Sequence, residues 1–213
     1  MNISGDMKLS FSDSLSFQKA IEAQKGVFSW ADLANFFHKS DSYNLNRAIK
    51  SLLEEKALYR FCKGFYVTRD ANLEWLSMRI CPESAISFTT VLAKELVVGT
   101  IPARRVYAAK LGTTRFYESE VGSVVHFGFN PKKMRHLWFG YDYYENGVRY
   151  ADKEKAFLDT LYFYQSGNRF TYNIYSDIHV SDLDQKKLTQ YLKKYRNPKF
   201  VKFVQGVIDG YDQ

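Results

Sequence analysis

The chain has 213 residues, 46% of them hydrophobic and 25% charged, which is ordinary for a globular protein and enough for one large domain or two small ones. Its formal charge of +7 is spread out, +2 in residues 1–70, +2 in 71–180 and +3 in 181–213, so bulk basicity does not by itself establish a polyanionic partner. Cys62 and Cys81 have neither disulfide-framework nor zinc-site spacing; the polar start MNISGDMKLSFSDS and the lack of a long apolar run lead us to expect a cytoplasmic protein without signal peptide or spanning helix.

Residues 1–13 read as a flexible leader. Leu15, Phe17, Ala20 and Ile21 then predict a helix from Ser14 to Lys25, ended by Gly26. Ser29-Trp30-Ala31-Asp32 is a capping box, with Phe28 and Leu33 as its hydrophobic staple, and opens a short helix over 30–38. A polar turn, 38–42, leads to a third helix running to Ala57. Its Leu45, Ala48, Ile49, Leu52 and Leu53 form one apolar stripe. LYRFCKGFYVTR follows as two strands, 58–61 and 65–68, turning at Lys63-Gly64.

Three helices closed by a hairpin predict a winged helix-turn-helix over 14–70, with its third helix in the major groove of duplex DNA. The polar face of that helix carries suitable chemistry. Arg47 suits guanine, and Asn44 or Asn46 suits adenine. Ser42, Tyr43, Lys50, Arg60 and Lys63 suit phosphates, which position the protein without reading sequence. The plainer account is a solvated helix with Lys50 and Glu54 paired four residues apart.

The remaining residues, 71–213, predict an α+β domain. Helices are expected over 71–80 and over SFTTVLAKELVV, with Ser84 or Ser87 as cap and Gly99 and Pro102 behind it. Five aromatic and β-branched runs, 104–109, 114–119, 123–129, 137–144 and 148–151, predict an antiparallel sheet, with Asn146-Gly147 as the clearest hairpin turn. Asp152 caps the helix KEKAFLDTLYFYQ, and helices over 181–195 and 198–209 close the chain. Within that capped helix Lys155 and Asp159 are spaced to pair. Glu154 sits in its first turn, where a carboxylate satisfies free N–H groups. Residues 104–135 carry Arg104, Arg105, Lys110, Arg115, Lys132, Lys133 and Arg135 against Glu118 and Glu120. That excess is either solubilising or a second anionic contact surface.

Some segments are familiar in their order. Phe28-Ser29 before a short helix, Arg47 before LLEEKALYRFCKGFYV, and then PESAISFTTVL, GTIPARRVYAAK and ADKEKAFLDTL resemble AbiEi-type antitoxins over about residues 15–165. The resemblance implies a repressor that binds operator DNA through its N-terminal winged helix and autoregulates its operon. It also implies a C-terminal part that counters a nucleotidyltransferase-like toxin of a type IV toxin–antitoxin system. Its DNA-contacting helix falls on residues 42–56, its wing on 58–68, and its charged helix on Glu154, Lys155 and Asp159. No P-loop, dinucleotide fingerprint, HExxH or nucleophile elbow is present, so no cofactor and no catalysis are expected. The alternatives are a regulator or protein-interaction module without a toxin, and a metal-dependent nuclease built on Asp152, Glu154 and Lys155.

Overall fold

The computed structural model describes residues 11–38, 41–99 and 103–211. The leader expected over 1–13 therefore lies outside the described residues up to position 10, as do Lys39 and Ser40 of the polar turn and Pro102. The chain divides into two compact units. The first comprises the chain up to Leu76 together with Tyr117–Ser123, and the second comprises Ser77–Phe116 and Val124–Gln213. The division thus falls a few residues after the expected boundary at position 70.

In the first unit the order is α1 (Phe11–Ala23), β1 (Val27–Ser29), α2 (Trp30–Phe36), α3 (Ser42–Glu54), β2 (Tyr59–Cys62) and β3 (Phe65–Val67). The strands form an antiparallel sheet in the order β1-β3-β2. Phe17, Phe28, Leu33, Leu45, Ile49, Leu52, Leu58 and Tyr66 make its core. Leu15 is 53% exposed and does not join Phe17, because residues two apart on a helix face different ways. Strand β1 escaped sequence reading because three residues show no period. The turn before it depends on Gly26, at φ 74°, where a Cβ would come within 2.3 Å of Thr68 Oγ1 and 2.9 Å of Ala71 Cα. Its carbonyl accepts a 2.9 Å bond from Thr68 N–H, which ties the end of α1 to the exit of β3.

Helix α4 (Leu73–Ile80) leads to the second unit, and β4 (Ala85–Ile86), α5 (Phe88–Lys94), β5 (Arg105–Leu111), β6 (Arg115–Ser119), β7 (Gly122–Phe129), β8 (Tyr143–Glu145), β9 (Val148–Tyr150), α6 (Lys153–Gln165), α7 (Gln185–Leu192) and α8 (Pro198–Tyr211) follow, all in that unit except Tyr117–Ser123. Six strands order as β6-β7-β5-β4-β9-β8. The expected antiparallel sheet is in fact mixed: β4 runs antiparallel to β5 but parallel to β9, with Ile86 opposite Tyr150. The hairpin at Asn146-Gly147 forms as predicted, with Glu145 opposite Val148 and both turn residues at positive φ, 51° and 82°.

The run 137–144 is a strand only over Tyr143–Glu145; Arg135–Leu137 is a 3-10 turn and Gly140 bends the chain at φ 75°. Its rings do not alternate along a strand: Trp138 packs on Tyr141 within the run at 4.4 Å, and Phe139 on Tyr191 of the helix Gln185–Leu192 at 4.8 Å. The helix expected over 181–195 begins only at Gln185, because Asp184 caps it by accepting from Lys186 and Lys187 N–H at 2.9 and 3.1 Å. Helix α6 is the centre of this unit. It packs on α5, α7 and α8, and rings from β7 (Phe127, Phe129), α5 (Phe88) and α6 (Phe163) meet in tilted and edge-to-face contacts at 4.6–5.5 Å.

Candidate functional site

The exposed face of α3 follows from its own pattern. Leu45, Ala48, Ile49 and Leu52 are buried, which leaves Ser42, Tyr43, Asn44, Asn46, Arg47 and Lys50 exposed. Asp41 starts the helix by accepting from Tyr43 and Asn44 N–H at 2.9 and 3.4 Å. Tyr43 is 74% exposed. On the hairpin, Arg60 and Lys63 are exposed, and Gly64 turns at φ 82° with its carbonyl accepting from Trp30 N–H at 3.0 Å. All eight residues singled out from the sequence for DNA contact therefore face solvent on α3 and the β2–β3 hairpin.

Three details refine that picture. Asn44 Nδ2 donates to Asp41 Oδ2 at 2.6 Å, and Asn46 Oδ1 accepts from Trp30 Nε1 at 3.3 Å. An adenine contact uses one N–H and one lone pair of the amide, and each local bond occupies one of the two such positions on Asn44 Nδ2 or Asn46 Oδ1. Lys50 pairs with Glu54 at 3.6 Å on the surface, a contact of little energetic weight. Trp30, which the sequence places only within the capping box, is 37% exposed beside this face.

The second cluster behaves differently. Lys155 and Asp159 form the expected pair on α6, but both are fully buried, and Glu154 is 2% exposed. Their expected role as a partner-facing surface requires side chains in solvent; these are spent inside the unit. Asp159 accepts from Lys155, from Ser87 Oγ at 2.8 Å and from Tyr141 OH at 2.8 Å. Lys155 Nζ also reaches Tyr195 OH at 3.3 Å and lies 4.7–5.8 Å from the ring centres of Phe129, Phe139, Tyr141 and Tyr195. Burial pushes the Lys155 pKa down and the Asp159 pKa up, each opposed by the partner's charge. Ser87 precedes α5 without capping it, its hydroxyl being committed to Asp159, and the next residue, Phe88, holds a strained φ of 57°.

Around the start of α6 the acids hold the C-terminal helices. Asp152 caps α6 through Lys155 N–H at 2.8 Å and accepts from Tyr191 OH at 2.6 Å. Glu154 accepts from Asp184 N–H at 3.0 Å and pairs with Lys187 at 2.9 Å. Burial alone would raise the Glu154 pKa, but these donors outweigh it and the net shift is downward. Asp152 and Glu154 thus meet on the Lys187 ammonium, at 3.2 and 2.9 Å, while Lys155 is turned inward to Asp159. Among the described residues no group of three His, Cys, Asp or Glu is arranged to hold a metal ion. Of the basic segment, Arg104, Arg105, Arg115, Lys132, Lys133 and Arg135 are all exposed. No helix among the described residues is long and apolar enough to cross a membrane.

The chain matches no protein-family model and no curated protein. It is similar to the crystal structure of the RV2827C protein from Mycobacterium tuberculosis, with 12% identity and a TM-score of 0.57 over 93% of this chain and 77% of that one. At that identity the likeness is one of fold alone.

Proposed function

We propose that the chain is a DNA-binding transcriptional repressor of the antitoxin type, working by binding and not by catalysis. In this reading the first unit acts as a winged helix-turn-helix, with α3 in the major groove of operator DNA and the β2–β3 hairpin as the wing. The observation that carries the reading is the pairing of one exposed polar face, Ser42 to Lys50, with a hairpin that exposes Arg60 and Lys63. The element order α1, β1, α2, α3, β2, β3 supports it. Arg47 would read guanine; Tyr43, Lys50, Arg60 and Lys63 would meet phosphates. The resemblance of segments to AbiEi-type antitoxins supports the further reading that the second unit counters a nucleotidyltransferase-like toxin, and that the protein represses its own operon.

The test is binding to a duplex from the protein's own promoter, followed by fluorescence anisotropy across salt concentrations. Lys63→Ala is expected to shallow the slope of log K against log salt by about 0.9, the value for one lost phosphate contact. Arg47→Ala is expected to cost about 1–3 kcal/mol and to relax sequence preference at one base pair. A wild-type protein that ignores the promoter at low salt overturns the reading.

A further inference from the structure

Residues 185–208 contain seven lysines and arginines and no aspartate or glutamate. Two of the seven are committed: Lys187 to Asp152 and Glu154, and Lys194 to the rings of Phe139 and Tyr191, at 4.1 and 5.5 Å. Lys193, Arg196, Lys199 and Lys202 are exposed, and none makes an ion pair with the described residues. They follow one another from the end of α7, across the connection, into the start of α8. On α8 the buried stripe is Phe200, Val204 and Val207, and Lys199 and Lys202 fall outside it. A lysine in the first turn of a helix opposes the positive end of the helix dipole, so Lys199 works against α8 itself. Among the described residues, nothing in the packing of the unit asks for these four cations.

The chemistry of the patch selects its occupant. Protein interfaces centre on aromatic or arginine anchors and are poor in lysine. Here three of the four cations are lysines, and the exposed neighbours Thr189, Gln190, Asn197 and Gln205 are polar. Lysines without an apolar anchor fit the regularly spaced charges of a phosphate backbone. We propose that the α7–α8 connection is a second, sequence-independent contact surface for the phosphates of duplex DNA. The proposal rests on the DNA-binding reading above but uses residues of the other unit.

The experiment compares the wild type, the quadruple variant Lys193→Gln/Arg196→Gln/Lys199→Gln/Lys202→Gln, and Arg47→Ala. Each is titrated by anisotropy against a labelled random-sequence duplex and the promoter duplex between about 50 and 200 mM salt. With an unchanged circular dichroism spectrum, the quadruple variant is expected to bind both duplexes about tenfold or more weakly. Its salt slope should be shallower by about 2–4, at about 0.9 per lost contact. Arg47→Ala is expected to weaken the promoter far more than the random duplex. Wild-type affinity and slope in the quadruple variant overturn this proposal and leave the operator reading standing, as does promoter binding with no measurable binding of the random duplex. Failure of the wild type on both duplexes overturns both. Loss of binding to polyglutamate, with duplex binding intact, overturns it in favour of an acidic protein partner.

Discussion

Lys155 is a lysine with no exposed surface, and its accommodation shows what such a group requires. Desolvating an ammonium and a carboxylate is costly, and their attraction offsets that cost only when the remaining hydrogen-bonding capacity is met. Asp159 meets it with two hydroxyls besides the ammonium, and Lys155 with Tyr195 and four ring faces. Lys155→Met or Asp159→Asn is therefore expected to cost about 3–5 kcal/mol in urea unfolding, because each strands the other's charge. Lys155→Met combined with Asp159→Leu should cost less than the sum of the single changes. Additive losses would show that the pair is not coupled. The spacing of the two residues predicts their pairing, yet nothing local in ADKEKAFLDTL announces burial, since charged residues four apart on a helix ordinarily face water.

At the scale of elements, the best-read parts are those whose local chemistry is self-sufficient. The Ser29 box forms in full: Ser29 Oγ accepts from Asp32 N–H at 3.1 Å, and Asp32 Oδ2 accepts from Ser29 N–H at 2.6 Å. Helix α3 is likewise legible, because its stripe and its cap agree. Asp41→Ala is expected to destabilise the first unit by about 1 kcal/mol through loss of the cap, read as a lower urea midpoint at unchanged slope. A midpoint equal to wild type would mean that the cap contributes nothing. Elements that were misread depend on distant partners. Strand β4, two residues long, exists only because β5 and β9 flank it. The aromatic run 137–144 has strand composition, but its rings are drawn to α6 and α7.

For the whole molecule, pH dependence offers a test of the interior. His126, on β7, is buried beside Ser77, with Oγ 2.8 Å from Nε2. Burial, helped by the Lys110 charge, lowers its pKa from 6.5 to about 4. The unfolded chain thus takes up a proton below pH 6.5 that the folded chain refuses until about pH 4. The contribution is complete above the unfolded value and is lost as pH falls through that window, by on the order of 3 kcal/mol. In His126→Gln the fall in stability between these values should be smaller than in wild type. Identical profiles would show that His126 does not set the acid limb.

The local periodicities and caps of the sequence by themselves determined the helices α2, α3 and α6, the two hairpins, and which side of α3 meets solvent, since a cap or a stripe acts within a few residues. Only the tertiary structure decided that the charges of α6 are internal and that β4 and β9 run parallel. It also decided that α7 and α8 are held on α6 through Glu154, Asp152 and Phe200. Those outcomes depend on groups dozens of residues apart, whose mutual desolvation no short window of sequence contains.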